Sequence, residues 1–116
     1  MQLMKTLRSP ISIKDLGRAE YVQGNLVKAV IDVDKQLISI GGELHADGEK
    51  ELLDSGSKQP ALWGINLYPD KFGTRQFIEF DSMINLRPSQ HNRSRGVDDP
   101  AIRKRIAEIV GKLVAR

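Results

Sequence analysis

Residues 26–42 read LVKAVIDVDKQLISIGG, and this stretch predicts the centre of the fold. From Val27 to Val33 apolar side chains alternate with mostly polar ones, which is the period of a strand with one buried face. A polar turn over residues 34–36 follows, and residues 37–40 then resume an apolar run that ends at two glycines. Two such runs joined by a short turn predict a β-hairpin.

Further strands and helices are predicted on both sides of this hairpin. Residues 62–68 and 77–87 also alternate with a period of two, so they predict a third strand and a long fourth strand in which an interruption near Ser82 is allowed. Helices are predicted over residues 12–23, 43–55 and 100–114. The resulting order, α-β-β-α-β-β-α, predicts an α+β fold: a two-layer sandwich in which an antiparallel or mixed sheet of about four strands packs against helices.

Length and composition restrict the class of protein. The chain has 116 residues and fits a single domain over residues 1–116. It contains no cysteine, which excludes disulfide scaffolds, thiolate metal sites and thiol nucleophiles. Its apolar runs are far shorter than the roughly 18 residues of a membrane-spanning helix. These features predict a cytoplasmic protein without a membrane partner.

Positive charge is concentrated near the end of the chain. The formal net charge is +3, yet residues 87–116 carry eight lysines and arginines against three acidic residues. A local basic excess attracts partners that carry phosphate, although a charge of this size also suits the solvent side of an ordinary helix.

If the alternation is correct, one face of the sheet is polar. Its predicted members are Lys28, Asp32, Asn66, Tyr68, Glu79, Asp81, Asn85 and Arg87. Three interpretations of this face are open: a solvated surface, an interface between subunits or a functional site.

The segment RPSQHNRSR, residues 87–95, has the most unusual composition in the chain. It offers three guanidinium groups and several short polar donors, which suits recognition of oxyanions. Arg87, Asn92, Arg93 and Arg95 are therefore predicted to bind a phosphate-bearing ligand or nucleic acid. The alternative is structural: the arginines fix this loop onto Glu79, Asp81 or backbone carbonyls.

A second group of candidates is acidic. Glu43, His45 and Asp47 are potential metal ligands at alternate positions, and they point the same way only in an extended segment. Together with Asp81 they define a metal-dependent hydrolase or nuclease-like enzyme, provided that all four side chains converge. In the structural interpretation Asp47 caps a helix instead. The wider candidate polar site also contains Asn66 and Asn85.

Several strings resemble a small bacterial and archaeal family catalogued as a domain of unknown function. They are GGELHAD (41–47), LWGINLYPDK (62–71) and EFDSMINLRPSQHNRSRGVDDP (79–100), followed by IRKRI. The resemblance extends from about Val27 to Leu113 and implies no particular activity. His91 stands where the family usually has a small residue. The residues that the resemblance places within the family's motif blocks are Glu43, His45, Asp47, Asn66, Asp81, Ser82, Asn85, Arg87, Asn92, Arg93 and Arg95.

Three functions therefore compete. A module that binds a phosphate-bearing ligand through residues 87–95 is the preferred prediction, and the metal-dependent hydrolase is the first alternative. The second alternative is a self-assembling interaction protein, with a monomer or a homodimer as the expected state. The preferred prediction assigns neither a metal nor a cofactor to the chain.

Overall fold

The computed structural model describes residues 3–116, and the predicted hairpin forms its centre. Strand β3 (Val27–Asp32) pairs antiparallel with β4 (Leu37–Gly41). Asp32 shapes the turn between them, because its Oδ1 accepts the backbone N–H groups of Asp34 at 2.9 Å and Lys35 at 2.8 Å. The sequence prediction of this hairpin is confirmed.

Three more strands complete a five-stranded antiparallel sheet in the order β1-β4-β3-β5-β6. They are β1 (Met4–Leu7), β5 (Leu62–Leu67) and β6 (Ile78–Glu79). A separate parallel pair joins β2 (Ile11–Ser12) to β7 (Val114–Ala115). The predicted count of about four strands and the predicted element order omitted β1, β2 and β7, because segments of two to four residues are too short to show a period.

The helices are α1 (Ile13–Leu16), α2 (His45–Asp54) and α3 (Pro100–Leu113). Helix α1 has one turn, so the predicted helix over residues 12–23 was too long, although Ser12 caps it as predicted. Asp99 caps α3 by accepting the N–H of Ala101 at 2.8 Å. These short polar caps satisfy amide groups that have no partner inside a helix.

The two longer helices cover opposite faces of the sheet, so the predicted two-layer arrangement was wrong. Ile106 and Ile109 of α3 share a buried cluster with Ile31 of β3. Leu52 of α2 packs instead with Val30, whose side chain points to the other face. The sheet strands are therefore largely buried on both sides, as in three-layer arrangements.

Residues 77–87 do not form the predicted long strand, although the interruption predicted near Ser82 is observed. Only Ile78–Glu79 pairs with β5, and Ser82 begins a 3₁₀ turn over Met83–Asn85 by accepting the N–H of Ile84. Burial consequently reverses the predicted pattern at Leu86, whose side chain was predicted to face inward and is exposed, and at Phe77, whose side chain was predicted to face outward and is buried.

No helix within residues 3–116 has the length and apolar composition needed to cross a membrane.

Candidate functional site

A cleft of about 610 Å³ lies on the α2 side of the sheet, between the start of α2 and residues 79–84. This volume is within the range of about 300–1,000 Å³ that is typical of small-molecule sites. The residues that line it are Leu26, Lys28, Leu44, His45, Ala46, Asn66, Tyr68, Glu79, Asp81, Ser82, Met83, Ile84 and Arg95. Part of the predicted polar face thus forms the floor of a cleft.

Three neighbouring strands place a row of polar side chains on this floor. Lys28 of β3 lies opposite Asn66 of β5, and Asn66 lies opposite Glu79 of β6. Residues directly opposite each other in an antiparallel ladder project from the same face. The strand register therefore fixes the order cation, amide, carboxylate across the sheet.

Asn66 occupies the middle of this row and is only 6% exposed. Its Nδ2 donates to Glu79 Oε1 at 2.8 Å and approaches the carbonyl of Asp81 at 3.4 Å. Both partners are acceptors, which determines the orientation of the amide. Asn66 Oδ1 is buried and forms no hydrogen bond of ordinary geometry within residues 3–116, although the imidazole of His45 interacts with the Asn66 side chain.

Glu79 also organises the outer part of the floor. Its Oε1 accepts a second hydrogen bond, from the hydroxyl of Tyr68, at 2.8 Å. This hydrogen bond to Glu79 is the main reason that the pKa of Tyr68 is raised above 10.0. Tyr68 therefore stays protonated and remains a donor at neutral pH.

His45 is the first residue of α2 and brings an imidazole to the cleft. Its Nε2 lies 2.8 Å from the carbonyl oxygen of Ile65, which only accepts, so Nε2 carries the proton. Burial lowers the pKa of His45 below 6.5, although the hydrogen bond to Ile65 and the interaction with the Asn66 side chain oppose this effect. His45 is therefore neutral near pH 7, with Nδ1 as an acceptor.

Arg95 is the loop arginine that lines the cleft. Its Nε lies 2.6 Å from Asp81 Oδ1, and both side chains are about half exposed, at 53% and 45%. Pairs with such exposure contribute little stability, typically about 0–1 kcal/mol. The pair nevertheless gives Asp81 a cationic partner within the fold.

Arg87 makes its contacts inside the protein and does not line this cleft. It is 7% exposed; NH1 donates to the carbonyl of Gln59 at 2.9 Å, and NH2 donates to the carbonyl of Leu62. The guanidinium also stacks on Trp63, with Cζ 4.0 Å from the ring centre. Burial lowers the pKa of Arg87. These are the carbonyl contacts that the structural interpretation of the loop predicted.

Asn92 and Arg93 have different roles in the same loop. Asn92 is buried, and its Nδ2 donates to the carbonyls of Asn85 at 2.7 Å and Gly96 at 2.8 Å, which stabilises the loop. Arg93 is exposed, and its guanidinium forms no hydrogen bond or ion pair with the part of the chain that the structure describes. The four residues predicted to bind phosphate do not converge on this cleft.

The acidic candidates also separate. Asp47 accepts the backbone N–H of Leu44 at 3.1 Å, as its predicted capping role requires, and Glu43 is exposed. Between residues 3 and 116, no group of three histidine, aspartate or glutamate side chains could hold a metal ion. The convergence required for the metal-dependent hydrolase, which included His45 and Asp81, is therefore not observed.

The structure thus brings His45, Asn66, Asp81 and Arg95 together from the sequence-predicted candidates. Sequence reasoning missed the apolar lining, above all Leu44 and Met83, which are 59% and 62% exposed. These two residues follow no apolar period with their neighbours, so no pattern marked them.

Comparison with known proteins gave one match. A family model described as "Protein of unknown function (DUF5674)" matches residues 5–113, which confirms the resemblance that the motifs indicated. No curated protein and no solved structure matched the chain.

Proposed function

Because the chain belongs to the DUF5674 family of proteins of unknown function, we propose a function from the geometry of its cleft: the protein binds a small organic molecule there. The observation that carries this proposal is the cleft itself, in which a polar floor that contains the buried Asn66 adjoins the exposed side chains of Leu44 and Met83. A concave site with an apolar border and a few convergent polar groups is the usual form of a small-molecule site.

The apolar rim supports the same proposal. Leu44 and Met83 expose most of their side chains beside the polar floor, and Ile84 extends this surface. Exposed large apolar side chains next to a few convergent polar groups are typical of ligand sites. The ligand therefore combines an apolar part with a polar end.

Besides the cations of Lys28 and Arg95, the lining of the cleft presents acceptors that include Nδ1 of His45 and the carboxylate of Glu79. A ligand that carries N–H or O–H groups binds these acceptors, whereas an oxyanion binds neither of them. Binding of a ligand with donor groups is consequently a better fit to this cleft than binding of phosphate.

Phosphate binding is a second candidate, through the loop of residues 87–95 that borders the cleft. We base it on Arg93, whose exposed guanidinium forms no hydrogen bond or ion pair within residues 3–116, and on the half-exposed Arg95 nearby in sequence. Arg87 and Asn92 contribute by holding the backbone of the loop rather than by direct contact.

The cleft proposal is tested by NMR with a library of small organic fragments. We expect binding fragments to shift the backbone signals of residues 44–46 and 79–84 together with the side-chain amide of Asn66. Leu44→Ser should weaken these fragments at least fivefold without unfolding the protein, since Leu44 is 59% exposed. Leu53→Ser, at an exposed leucine outside the cleft lining, is the matched control. A library that produces no shifts at the cleft contradicts the proposal.

A further inference from the structure

Two opposite charges on the floor of the cleft lack an ionic partner. Lys28 forms no hydrogen bond or ion pair with any described residue of the chain, 3–116. Glu79 accepts only from the neutral groups of Asn66 and Tyr68. Asp81, by contrast, is paired with Arg95.

The strand register determines how far apart the backbones that carry these two charges lie. Lys28 and Glu79 lie on either side of Asn66, so their backbones are two strand spacings apart, or about 10 Å. Their side chains project from the same sheet face. A ligand above Asn66 therefore meets a cation at one end and an anion at the other.

We infer that the ligand is a free α-amino acid with an apolar side chain, an inference that rests on the proposed function of the cleft. Such a zwitterion, with one charged hydrogen bond at each end, spans roughly 9 Å. Its carboxylate binds Lys28, and its ammonium group binds Glu79. This span is close to the separation of the two backbones, and the flexible side chains of Lys28 and Glu79 set the distance between the charged groups themselves.

The remaining contacts account for the rest of the molecule. Asn66 Nδ2 and the Tyr68 hydroxyl each donate to Glu79 Oε1 at 2.8 Å, so they hold the carboxylate that binds the ammonium group. The apolar side chain lies against Leu44 and Met83 at the rim. A peptide terminus presents only one of the two charges and leaves either Lys28 or Glu79 without a partner.

Calorimetric titration with four molecules of similar shape tests this inference. L-leucine carries both charges, 4-methylpentanoate only the negative one, 3-methylbutylamine only the positive one, and 3-methylbutanol neither. We expect L-leucine to bind at least tenfold more tightly than each of the other three. NMR shifts at residues 44–46 and 79–84 should place the bound L-leucine in the cleft.

Two charge-removing variants assign the two ends. Lys28→Met should weaken L-leucine at least tenfold and leave 3-methylbutylamine unchanged, whereas Glu79→Gln should weaken L-leucine and leave 4-methylpentanoate unchanged. Lys104→Met and Glu108→Gln are matched controls, since both residues are exposed on α3, which packs on the opposite sheet face. Circular dichroism confirms that each variant is folded.

The outcomes of these experiments distinguish a failure of this inference from a failure of the proposed function on which it rests. If the four molecules bind in the cleft with equal affinity, the zwitterion inference is wrong and the ligand-binding proposal stands. If L-leucine, L-methionine and L-phenylalanine leave the cleft signals unchanged while library fragments shift them, the same conclusion applies. If neither group of compounds shifts these signals, both proposals fail.

Discussion

The side-chain amide of Asn85 hydrogen-bonds both backbone groups of Gly64. Asn85 Oδ1 accepts the N–H of Gly64 at 2.8 Å, and Asn85 Nδ2 donates to its carbonyl at 2.9 Å. Asn85 thus replaces a neighbouring strand at the point where β6 no longer pairs with β5. A single fully buried side chain closes this part of the sheet edge.

Replacement of Asn85 should therefore be strongly destabilising. Asn85→Ala leaves the buried N–H and carbonyl of Gly64 without partners, and we expect a loss of about 3 kcal/mol in the free energy of unfolding. Urea denaturation measures it. Asn25→Ala is the control, because Asn25 is exposed and makes no side-chain hydrogen bond; similar losses in both variants would contradict the role of Asn85.

The same edge requires a glycine at position 64. A Cβ atom there would lie 2.5 Å from Ser82 Oγ and 2.6 Å from Ser82 Cβ. Gly64→Ala should lower the free energy of unfolding by about 1–3 kcal/mol. Gly111→Ala in α3 meets nothing within 4 Å, and we expect it to stabilise the protein by about 0.5–1 kcal/mol. Thermal unfolding of the two variants should shift in opposite directions.

The stack of Arg87 on Trp63 offers a spectroscopic prediction. Trp63 is the single tryptophan of the chain, so the fluorescence reports the environment of this one side chain, which includes the stacked guanidinium of Arg87. Arg87→Met should change the emission and reduce stability by about 2–3 kcal/mol, because the carbonyls of Gln59 and Leu62 lose a charged donor. Arg93→Met should leave both properties unchanged. Unaltered emission in Arg87→Met would exclude the stacked arrangement.

Stability should depend on the protonation of His45. Its pKa in the folded protein is below 6.5, mainly because of burial, so the unfolded chain binds the proton more readily. The contribution of neutral His45 to the free energy of unfolding is complete above about pH 6.5, and it declines as the pH falls toward the pKa of His45 in the folded protein. Melting temperatures between pH 8 and pH 5 should fall less steeply in His45→Gln than in the parent protein. His91→Gln, at an exposed position, should retain the parental slope.

The phosphate hypothesis predicts salt-dependent binding through the exposed loop arginines. A labelled single-stranded oligonucleotide should bind less tightly at higher salt, and Arg93→Ala/Arg95→Ala should weaken it at least fivefold. Arg8→Ala/Arg75→Ala removes two other exposed arginines as a charge-matched control. Equal binding by the two double variants would eliminate a specific contact at residues 87–95.

The regular parts of the fold were predictable from sequence because their residues obey one period over several turns or pleats. The hairpin of β3 and β4, strand β5 and the capped helix α3 belong to this group. The segment 77–87 also alternates, but a segment forms a strand only where a neighbouring strand has backbone N–H and C=O groups that are free to pair. At Gly64 the backbone N–H is already hydrogen-bonded to the side chain of Asn85, and no pattern in the sequence predicts that contact.

The candidate site was predictable in part. Alternation placed Lys28, Asn66 and Glu79 on one face, and the ladder confirms that they are neighbours. Which arginine lies at the cleft was not predictable, since Arg87 and Arg95 belong to one loop and differ only in tertiary contacts. The position of the Arg87 side chain depends on hydrogen bonds to the carbonyls of Leu62 and Gln59, which lie 25 and 28 positions away in the sequence.

Because β6 is short, the sequence of one wall of the cleft is free to vary during evolution. Only Ile78–Glu79 of this wall belongs to the ladder, and the exposed Met83 takes no part in strand pairing. Substitutions at Met83 therefore change the shape of the wall without disturbing register elsewhere. Related sequences can therefore differ in the shape of this wall while they keep the same sheet.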